Sequence, residues 1–431
     1  MKWSIHPLSK IAIDLQPGFA MLPKAGDSSF PQLRTNNVSS EGRIDLNLVK
    51  KVPASTKECE RYSLQHGDIL FNNTNSVDLV GKTALFDLEG PYLFSNHMTR
   101  VRVNLEIADP HFVARQLFWI WKSGGFRTMV TRWVNQAAIN KTMLGGVKIC
   151  LPALSEQRRI VEILHQADAL RRRRAEADAK AGRILPALFY KMFGDPLALI
   201  SSGEGVPLSE LEVDLQNGFA CGEKDVEDGV PHLRMNNIDD AGVLNLELVR
   251  TVPPDRDTER YRLMEKDVLF MGTNSEDKIG KTCLFLPPDK RTYLFSNHLI
   301  RLRVSDSRIT PEYLASFLHL LWSKRFFPSI AKRWVNQSAV TQSSLVALRI
   351  PLPSTRSLDL FTTTYQNLLS LRAQRVRLGK RINQTFAVLL HRAFTGTLTA
   401  KWREAHMKEL LQEMEQQAKA LAEEKPCPTI Q

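Results

Sequence analysis

Amide, guanidinium, hydroxyl and imidazole side chains recur in matching words in the two halves of the 431-residue chain. Arginine and lysine can donate hydrogen bonds to O6 and N7 of guanine, and asparagine and glutamine can pair with N6 and N7 of adenine. The pattern therefore indicates contacts with the edges of nucleic-acid bases. The candidates in the first half are Arg34, Asn36, Asn37, Asn73, Thr74, Asn75, Lys82, Ser95, Asn96, His97, Arg132, Asn135 and Gln136. Their counterparts in the second half are Arg234, Asn236, Asn237, Thr273, Asn274, Lys281, Ser296, Asn297, His298, Arg333, Asn336 and Gln337.

Each single candidate also has a structural explanation. An asparagine between strands is more often a turn or cap residue than a base contact. The set as a whole contains more amides than the turns require, which favours binding. Trp133 and Trp334 lie between an arginine and the amides, and we expect them to anchor the segment rather than to stack on bases.

The words Gly81-Lys82-Thr83 and Gly280-Lys281-Thr282 suggest a phosphate-binding loop. That motif requires a further glycine upstream, at the positions that Ser76 and Ser275 hold. A nucleotide site is therefore excluded. Lys82 and Lys281 remain candidates for contacts with the phosphates of a nucleic-acid backbone.

Catalytic chemistry has no candidate residues in the sequence. No duplicated carboxylate lies at metal-ligand spacing from His97 or His298, and the words His-x-x-x-His, Gly-x-Ser-x-Gly and Gly-x-Gly-x-x-Gly do not occur. We therefore predict a protein that is not an enzyme and that holds no metal. The five cysteines are widely spaced, without a Cys-x-x-Cys pair, which indicates a reducing, cytoplasmic location.

The duplication extends beyond the polar residues. The word Tyr92-Leu93-Phe94-Ser95-Asn96-His97 returns unchanged at 293–298, and the other shared words follow at offsets of 199 to 201 residues. A repeat of this length indicates tandem domains rather than a solenoid. The chain is also longer than the ~250 to 300 residues at which a single hydrophobic core stops growing.

The bulk composition limits the class of partner. The net charge is +12, and the isoelectric point is about 9.5, which indicates a polyanionic partner. Hydrophobic residues make up 43% of the chain, and we find no apolar run of the ~18 residues that a membrane span needs. The first residues contain no apolar signal core. We therefore expect a globular protein without a membrane partner.

The local patterns predict the elements that position the candidates. Short strand-forming runs between turn residues predict an irregular, mostly antiparallel sheet in each half. Asp109-Pro110 predicts the start of an amphipathic helix that runs to Trp121. Apolar residues at three- and four-residue steps predict a long helix over 155–192, with a break near Gly182 or Pro186. A second helix follows Pro353, and its heptad seam is predicted at Leu368, Leu371, Leu378, Ile382 and Leu389.

The two long helices hide their seams most simply against each other, in antiparallel orientation. The predicted fold class is therefore α+β, with two similar mixed domains separated by an antiparallel coiled coil and related by a pseudo-twofold axis. We expect domains at 1–152 and 196–353, spacer helices at 153–195 and 354–404, and a polar helical tail at 405–431 that is disordered from 425 onwards. The arginine run at 171–174 is either a solvated face or a phosphate-contacting face.

Several further words follow in a fixed order along the chain. They are Pro31-Gln32-Leu33-Arg34 with Asn36-Asn37-Val38, Gly67-Asp68-Ile69-Leu70, Ser95-Asn96-His97 before Arg100-Val101-Arg102, Leu151-Pro152 before Glu156-Gln157-Arg158-Arg159, and Phe394-Thr395-Gly396. Their order resembles that of the specificity subunits of type I restriction-modification systems, over almost the whole chain. The second helix departs from the pattern, because it begins Pro353-Ser354-Thr355-Arg356, and its boundary and its contacts with partners are therefore less well defined.

The resemblance implies two target-recognition domains that each read half of a bipartite site in double-stranded DNA. It implies no catalytic activity and no cofactor in this chain. It also implies docking of modification (methyltransferase) subunits, of which two are expected and which use S-adenosylmethionine. Restriction subunits, which are ATP-dependent translocases and nucleases, would use ATP and Mg²⁺. Because the two halves share their polar words, we predict similar half-sites and a near-palindromic target.

Two other classes of protein remain as alternatives. A self-contained DNA methyltransferase or nuclease with its own reader would need an Asn/Asp-Pro-Pro-Tyr/Phe motif or a carboxylate cluster, and neither is present. A coiled-coil interaction protein without a DNA role would show little dependence on salt. A DNA reader, in contrast, loses affinity steeply as the salt concentration rises.

Overall fold

The computed structural model describes residues 3–20, 28–134, 136–222, 225–254, 258–333 and 337–422. The chain divides into two compact units, the first formed by Met1–Arg173 with Lys380–Gln431 and the second by Arg174–Gly379. Each unit mixes helices and strands. Two long helices, α5 and α10 below, contribute residues to both units.

The strands and helices of the first unit up to the first long helix are β1 (Ser4–Pro7), α1 (Leu8–Ile11), β2 (Ala12–Pro17), β3 (Ser28–Leu33), β4 (Lys50–Ala54), α2 (Thr56–Tyr62), β5 (Ile69–Asn72), β6 (Thr74–Asn75), β7 (Thr83–Leu85), β8 (Leu93–Phe94), β9 (Met98–Val103), α3 (Pro110–Lys122), β10 (Thr131–Arg132), β11 (Ala137–Ala138), α4 (Lys141–Gly145) and β12 (Lys148–Leu151). The helices that follow are α5 (Leu154–Ala181), α6 (Ile184–Phe193) and α7 (Pro196–Ser201).

The rest of the second unit, and the C-terminal helices, continue in chain order. They are β13 (Val206–Pro207), β14 (Val213–Asn217), β15 (Val230–Leu233), β16 (Arg250–Val252), β17 (Val268–Met271), β18 (Thr273–Asn274), β19 (Thr282–Leu284), β20 (Leu294–Phe295), β21 (Leu299–Val304), α8 (Pro311–Ser323), β22 (Lys332–Arg333), β23 (Ser338–Ala339), α9 (Gln342–Val346), β24 (Arg349–Ile350), α10 (Thr355–Phe394), α11 (Ala400–Ala405) and α12 (Met407–Ala422).

The two units have the same sheet topology. The first contains a four-stranded sheet in the order β2-β9-β5-β7 and a three-stranded sheet in the order β4-β3-β8, and the second repeats them as β14-β21-β17-β19 and β16-β15-β20. All of these pairs are antiparallel except β3–β8 and β15–β20, which are parallel. The mostly antiparallel sheets and the internal duplication predicted from the sequence are both confirmed.

Helix α3 shows how local sequence signals fix one element in each unit. The Asp109 carboxylate caps the helix by accepting a hydrogen bond from the backbone N–H of Phe112, and Pro110 occupies the first turn, where no N–H is needed. One face of α3 then packs into the core of the first unit. In the second unit the hydroxyl of Thr310 caps α8 in the same way, by accepting from Tyr313 N–H.

Aromatic residues from the long helices complete the core of each unit. In the first unit Phe394 of α10 packs against Phe112, with ring centroids 5.5 Å apart. In the second unit Phe189 of α6 is fully buried and lies 5.8 Å from Phe361 of α10. The helices therefore stabilise the units that they adjoin through buried apolar area.

The predicted break in the first long helix is confirmed, because α5 ends at Ala181 and α6 begins at Ile184. Pro186 lies in the first turn of α6, where its missing N–H costs nothing. Together α5, α6 and α7 are long and apolar enough by composition to cross a membrane. However, Gly194 interrupts this stretch with φ +92°, and Phe189 and Phe193 pack into the core of the second unit.

The predicted heptad seam of α10 is wrong at two positions. Leu371 is 55% exposed and Leu378 is 48% exposed. Between them, Arg372 pairs with Asp239 at 3.3 Å and Arg375 pairs with Asp178 at 3.6 Å. Charged side chains that are neutralised by carboxylates thus take the packed positions in the middle of α10.

The arginines at 171–174 of α5 lie in different environments. Arg171 pairs with Glu41 and Asp168, and its guanidinium lies 4.4 Å from the centroid of the Phe386 ring. This side chain is therefore neither solvated nor free to reach a phosphate. Arg172 and Arg173 are exposed, as a solvated face requires.

The tail forms α11 and α12 and packs on the first unit. Gln417 is buried and donates hydrogen bonds to the carbonyl oxygens of Ile107 (2.7 Å) and Pro152 (3.2 Å). Glu413 accepts one from Ser155 N–H. The predicted helical tail is thus an integrated part of the unit over these residues. The segment from 425 onwards, where we predicted disorder, lies outside the described residues.

Candidate nucleic-acid interface

Parallel strands bring two polar loops to one edge of the first unit. β3 and β8 pair in parallel, with Leu33 opposite Phe94, and Ser95 N–H donates to the carbonyl of Leu33 at 3.0 Å. Because both strands end at this level, the turn after β3, which contains Arg34 and Asn36, lies beside the turn after β8, which contains Asn96 and His97.

A third loop joins the same edge. β5 runs antiparallel to β9, with Asn72 opposite Met98, so the end of β5 meets the start of β9. The backbone N–H of Asn73 donates to the His97 carbonyl at 3.1 Å, and its side-chain amide donates to the Asn96 carbonyl at 3.2 Å. The loop after β5 is therefore fastened to the loop after β8.

A short hairpin completes the edge. β11 pairs with β6, with Ala137 opposite Asn75, and β10 pairs with β11. We call the combined surface of residues 34–36, 72–75, 95–97, 131–134 and 136–137 the loop edge of the first unit. The corresponding residues 234–236, 271–274, 296–298, 332–333 and 337–338 form the loop edge of the second unit.

Most of the predicted candidates lie on these loop edges with accessible side chains. In the first unit Asn36, Asn96, His97, Arg132 and Gln136 are exposed, and Arg34, Thr74 and Asn75 are half-buried. In the second unit Asn236, Asn297, Arg333 and Gln337 are exposed, and Arg234, Thr273, Asn274 and His298 are half-buried. The topology thus brings together residues that are about 100 positions apart in each half.

Two asparagines of the candidate set hold turns instead. Asn37 is buried; its Oδ1 accepts from Arg34 N–H at 2.9 Å, and its Nδ2 donates to the carbonyl of Asp45 at 2.8 Å. Asn237 makes the equivalent bonds to Arg234 and Asn245. These amides shape the turn that presents Asn36 and Asn236.

Asn73, Ser95 and Ser296 are also buried on the inner side of the loop edges. Asn73 donates to Thr99 Oγ1 at 3.0 Å in addition to the Asn96 carbonyl. Its amide therefore spans two segments of the edge. In the second unit Gly272 occupies the position of Asn73, and its backbone N–H still donates to the His298 carbonyl at 2.9 Å.

Both candidate lysines are buried, at 8% exposure for Lys82 and 7% for Lys281. Lys82 Nζ donates to the carbonyl of Val38, and burial lowers the pKa of its ammonium group. Lys281 pairs with Asp240, and its Nζ lies 5.2 Å from the Trp322 ring centroid. These contacts stabilise the units and leave neither ammonium group open to a phosphate.

The expectation that Trp133 anchors its segment is wrong, because this side chain is 60% exposed at the tip of the hairpin. Val134 beside it is 98% exposed, and sequence reasoning did not single it out. The signal was its place inside the duplicated word Arg-Trp-Val-Asn-Gln. Asn135, Trp334 and Asn336 lie outside the described residues.

Several polar atoms at the loop edges are enclosed without a hydrogen-bond partner among the described residues. They include Nε of Arg34 and of Arg234, Oδ1 of Asn72 and Oγ of Ser296. Burial, followed by the nearby charge of Arg250, lowers the pKa of the Arg234 guanidinium, which remains charged at neutral pH. Unpaired buried groups of this kind are uncommon in native proteins, and these can take a hydrogen-bond partner from water or from a bound ligand.

Metal chemistry has no support from the described part of the chain. Within the described ranges, no group of three or more histidine, cysteine, aspartate or glutamate side chains is placed to hold an ion. His97 and His298 lie on loop edges made of amides and arginines rather than beside a carboxylate. The chemistry available there is hydrogen bonding to a polar ligand.

Comparisons with known proteins show which proteins the chain resembles. Residues 25–177 match the family model of the type I restriction modification DNA specificity domain. Over 146 residues, 33% of this chain and 33% of the relative, the chain is 36% identical to a Methanocaldococcus jannaschii protein named as the MjaX specificity subunit of a type I restriction enzyme. Over 396 residues, 88% of this chain and 84% of the relative, it is 22% identical to the type I restriction enzyme StySPI specificity subunit of Salmonella potsdam.

A solved structure supports the fold. A chain from a structural study of complex assembly and conformational transition in the type I restriction-modification system superposes with a TM-score of 0.56 and 19% identity, over 92% of this chain and 98% of that chain. Residues 25–177 thus match a DNA specificity domain of type I restriction-modification systems. Over most of its length the chain is similar to specificity subunits of these systems, and it shares the fold of a chain from such a system.

Proposed function

We propose that the chain reads a bipartite site in double-stranded DNA, with one half-site bound by each loop edge. The observation that carries this proposal is that the same exposed or half-buried amide, imidazole and guanidinium groups occupy the same positions on both loop edges. The asparagines would pair with adenine, and the arginines would contact guanine or backbone phosphates. The unpaired donors at Arg34 and Arg234 would then gain partners in the complex.

The shared residues support similar half-sites. Arg34, Asn36, Asn96, His97 and Gln136 each have an identical counterpart on the second loop edge. The two edges differ behind the exposed layer, where Met271 stands in place of Asn72, and within it, where Lys332 stands in place of Thr131. Related half-sites on two domains in opposite orientation would form an interrupted, near-palindromic target.

We further propose that the two long helices run antiparallel. Within the first unit the N-terminal part of α5 contacts the C-terminal part of α10, since Arg171 Nε donates to Asn383 Oδ1 at 3.0 Å. Within the second unit the later part of α5 contacts the earlier part of α10, through Asp178 and Arg375. These contacts support the antiparallel course of the spacer helices, which we propose at 153–195 and 354–404, with target-recognition domains at 1–152 and 196–353 and a tail at 405–431.

The partners follow from the same proposal. The chain would act without catalysis or cofactor of its own, in the cytoplasm, and would dock two modification subunits that use S-adenosylmethionine and restriction subunits that use ATP and Mg²⁺. The exposed leucines of α10, Leu371 and Leu378, supply apolar surface suited to such docking. Assembly of a type I complex is also the subject of the study that provided the similar solved structure.

An insertion tests whether the two long helices set the distance between the half-sites. Seven residues are added to α5 and seven to α10 at facing positions, and the methylated sites are mapped by sequencing DNA from cells that also express the modification subunits. We expect both half-sites to be kept and the unspecified spacer between them to change in length. A control that exchanges seven exposed residues without adding any should leave the spacer unchanged. An unchanged spacer in the insertion variant would contradict the proposal.

A further inference from the structure

An apolar tip projects from the polar loop edge of the first unit. Trp133 and Val134, at 60% and 98% exposure, are neighbours at the turn of the β10–β11 hairpin. Single exposed apolar residues are ordinary on protein surfaces. Here a tryptophan and a valine lie side by side at the tip of a hairpin, among the candidate base-contacting side chains. They form a small apolar surface that is available to a ligand. The second half repeats the word as Arg333-Trp334-Val335.

The base of this hairpin is fixed firmly. Ala137 is fully buried in the core, and Ile139 N–H donates to the carbonyl of Asn73 at 2.8 Å. Trp133 N–H donates to the Gln136 carbonyl at 2.7 Å and closes the turn. The tip therefore extends from a base that is bonded to the loop after β5, and its position relative to the polar readers is set.

We propose that the Trp133-Val134 tip inserts between adjacent base pairs of the first half-site and unstacks that step. This inference rests on the proposed function and adds a deformation of the DNA to it. Proteins that kink DNA insert apolar side chains in this way, and aromatic rings stack on bases without regard to sequence. Arg132, exposed at the start of the tip, supplies the positive charge that holds the adjacent backbone.

The surroundings favour DNA over a protein as the occupant of the tip. The tip is continuous with a surface of amides and guanidinium groups, and the whole chain carries a net charge of +12. A protein-docking patch would have an apolar centre surrounded by a polar rim. Here the apolar surface is limited to the turn of the hairpin.

The inserted tip also has a consequence for specificity. Pyrimidine–purine steps such as TA and CA unstack more easily than other steps. The first half-site should therefore contain such a step where the tip enters, even though neither Trp133 nor Val134 reads a base edge. Preference at that step would arise from the deformability of the DNA.

The test uses the full chain bound to a duplex that carries its methylated site, with 2-aminopurine replacing one adenine at a time. In the wild type we expect a rise in fluorescence at one step of the first half-site, because unstacking relieves quenching. Trp133→Ala should abolish that rise and weaken binding by about tenfold. Binding to the second half-site should persist, since the substitution leaves the second unit unchanged.

Leu105→Ala is the matched control, because Leu105 is 68% exposed beyond the far end of β9 from the loop edge. It should change neither the fluorescence rise nor the affinity, and all variants should melt at the wild-type temperature. The insertion of the tip would be refuted if Trp133→Ala retained the fluorescence rise. It would also be refuted if the wild type bound its site with every base step stacked. Neither result would contradict the proposed function. A wild type that does not prefer its methylated site would overturn the proposed function as well. Loss of the co-purified modification subunit in Trp133→Ala, with the fluorescence rise retained, would reassign the tip to protein docking.

Discussion

His319 gives the second unit a pH dependence that can be removed by one substitution. The imidazole packs beside Gly242 and Trp322, and its Nδ1 is enclosed without a partner among the described residues. Burial lowers the pKa of His319 to about 4; the charge of Lys281 acts in the same direction, and that of Asp239 opposes it. In the unfolded chain the pKa of a histidine is about 6.5.

The sign of the effect follows from proton binding. Between pH 6.5 and pH 4 the unfolded chain binds a proton at His319 that the folded unit does not, so stability is lost as the pH falls. Lowering the pH from about 7.5 to about 5 should therefore cost the second unit about 2 kcal/mol through this one group. The neutral ring is favoured at all higher pH values.

The first unit supplies the matched substitution. Phe118 occupies the equivalent position in α3, packed beside Gly42 as His319 packs beside Gly242. His319→Phe should therefore fold. Over the same pH interval, the free energy of unfolding of its second unit should fall by about 2 kcal/mol less than that of the wild type. Hydrogen exchange in increasing urea, measured on peptides that cover β17 and β21, reports the free energy of unfolding of the second unit. His66→Gln, an exposed histidine in the first unit, is the control. An equal loss in the wild type and His319→Phe would refute the assignment.

Neighbouring residues at the loop edge should separate binding from stability. Asn36→Ala should weaken binding to the methylated site by about 1 to 3 kcal/mol in a titration with duplex DNA, with an unchanged melting temperature. Asn37→Ala should instead lower the free energy of unfolding by about 2 kcal/mol, since it removes two hydrogen bonds. Arg132→Ala should reduce the slope of log affinity against log salt by about 0.9 on specific and unrelated duplexes alike, and an unchanged slope would exclude a phosphate contact. Asp168→Asn should destabilise the first unit by about 3 kcal/mol in urea unfolding, because Arg115 loses its partner at 3.2 Å. The control Asp178→Asn affects the more exposed pair with Arg174 and should cost less than about 1 kcal/mol. Equal effects of the two substitutions would contradict this prediction.

The sequence was most informative where a signal is local or repeated. The cap at Asp109, the helix that follows it and the break at Gly182 depend on residues within one turn, and the structure has them as predicted. The duplication was visible because two copies share whole words. The meeting of the three loops and the hairpin at one edge was not visible, because it depends on the parallel pairing of β3 with β8 and on the register of β5 with β9.

Burial was the property that sequence reasoning could not assign. Asn36 and Asn37 are adjacent and chemically identical, yet one is exposed and the other holds a turn. Lys82 belongs to a word that suggests phosphate binding, but its side chain is buried and donates a hydrogen bond to the carbonyl oxygen of Val38. Leu371 and Leu378 fit a heptad, but arginines with carboxylate partners fill the packed side of the helix. In each case tertiary neighbours decide the outcome.

The central claim is that two matched loop edges read two related half-sites. Its most direct test is to map the methylated positions, by sequencing that detects modified bases, in DNA from cells that express the chain with its modification subunits. We predict one interrupted, near-palindromic sequence whose halves share most of their bases. Two half-sites with unrelated sequences would contradict it.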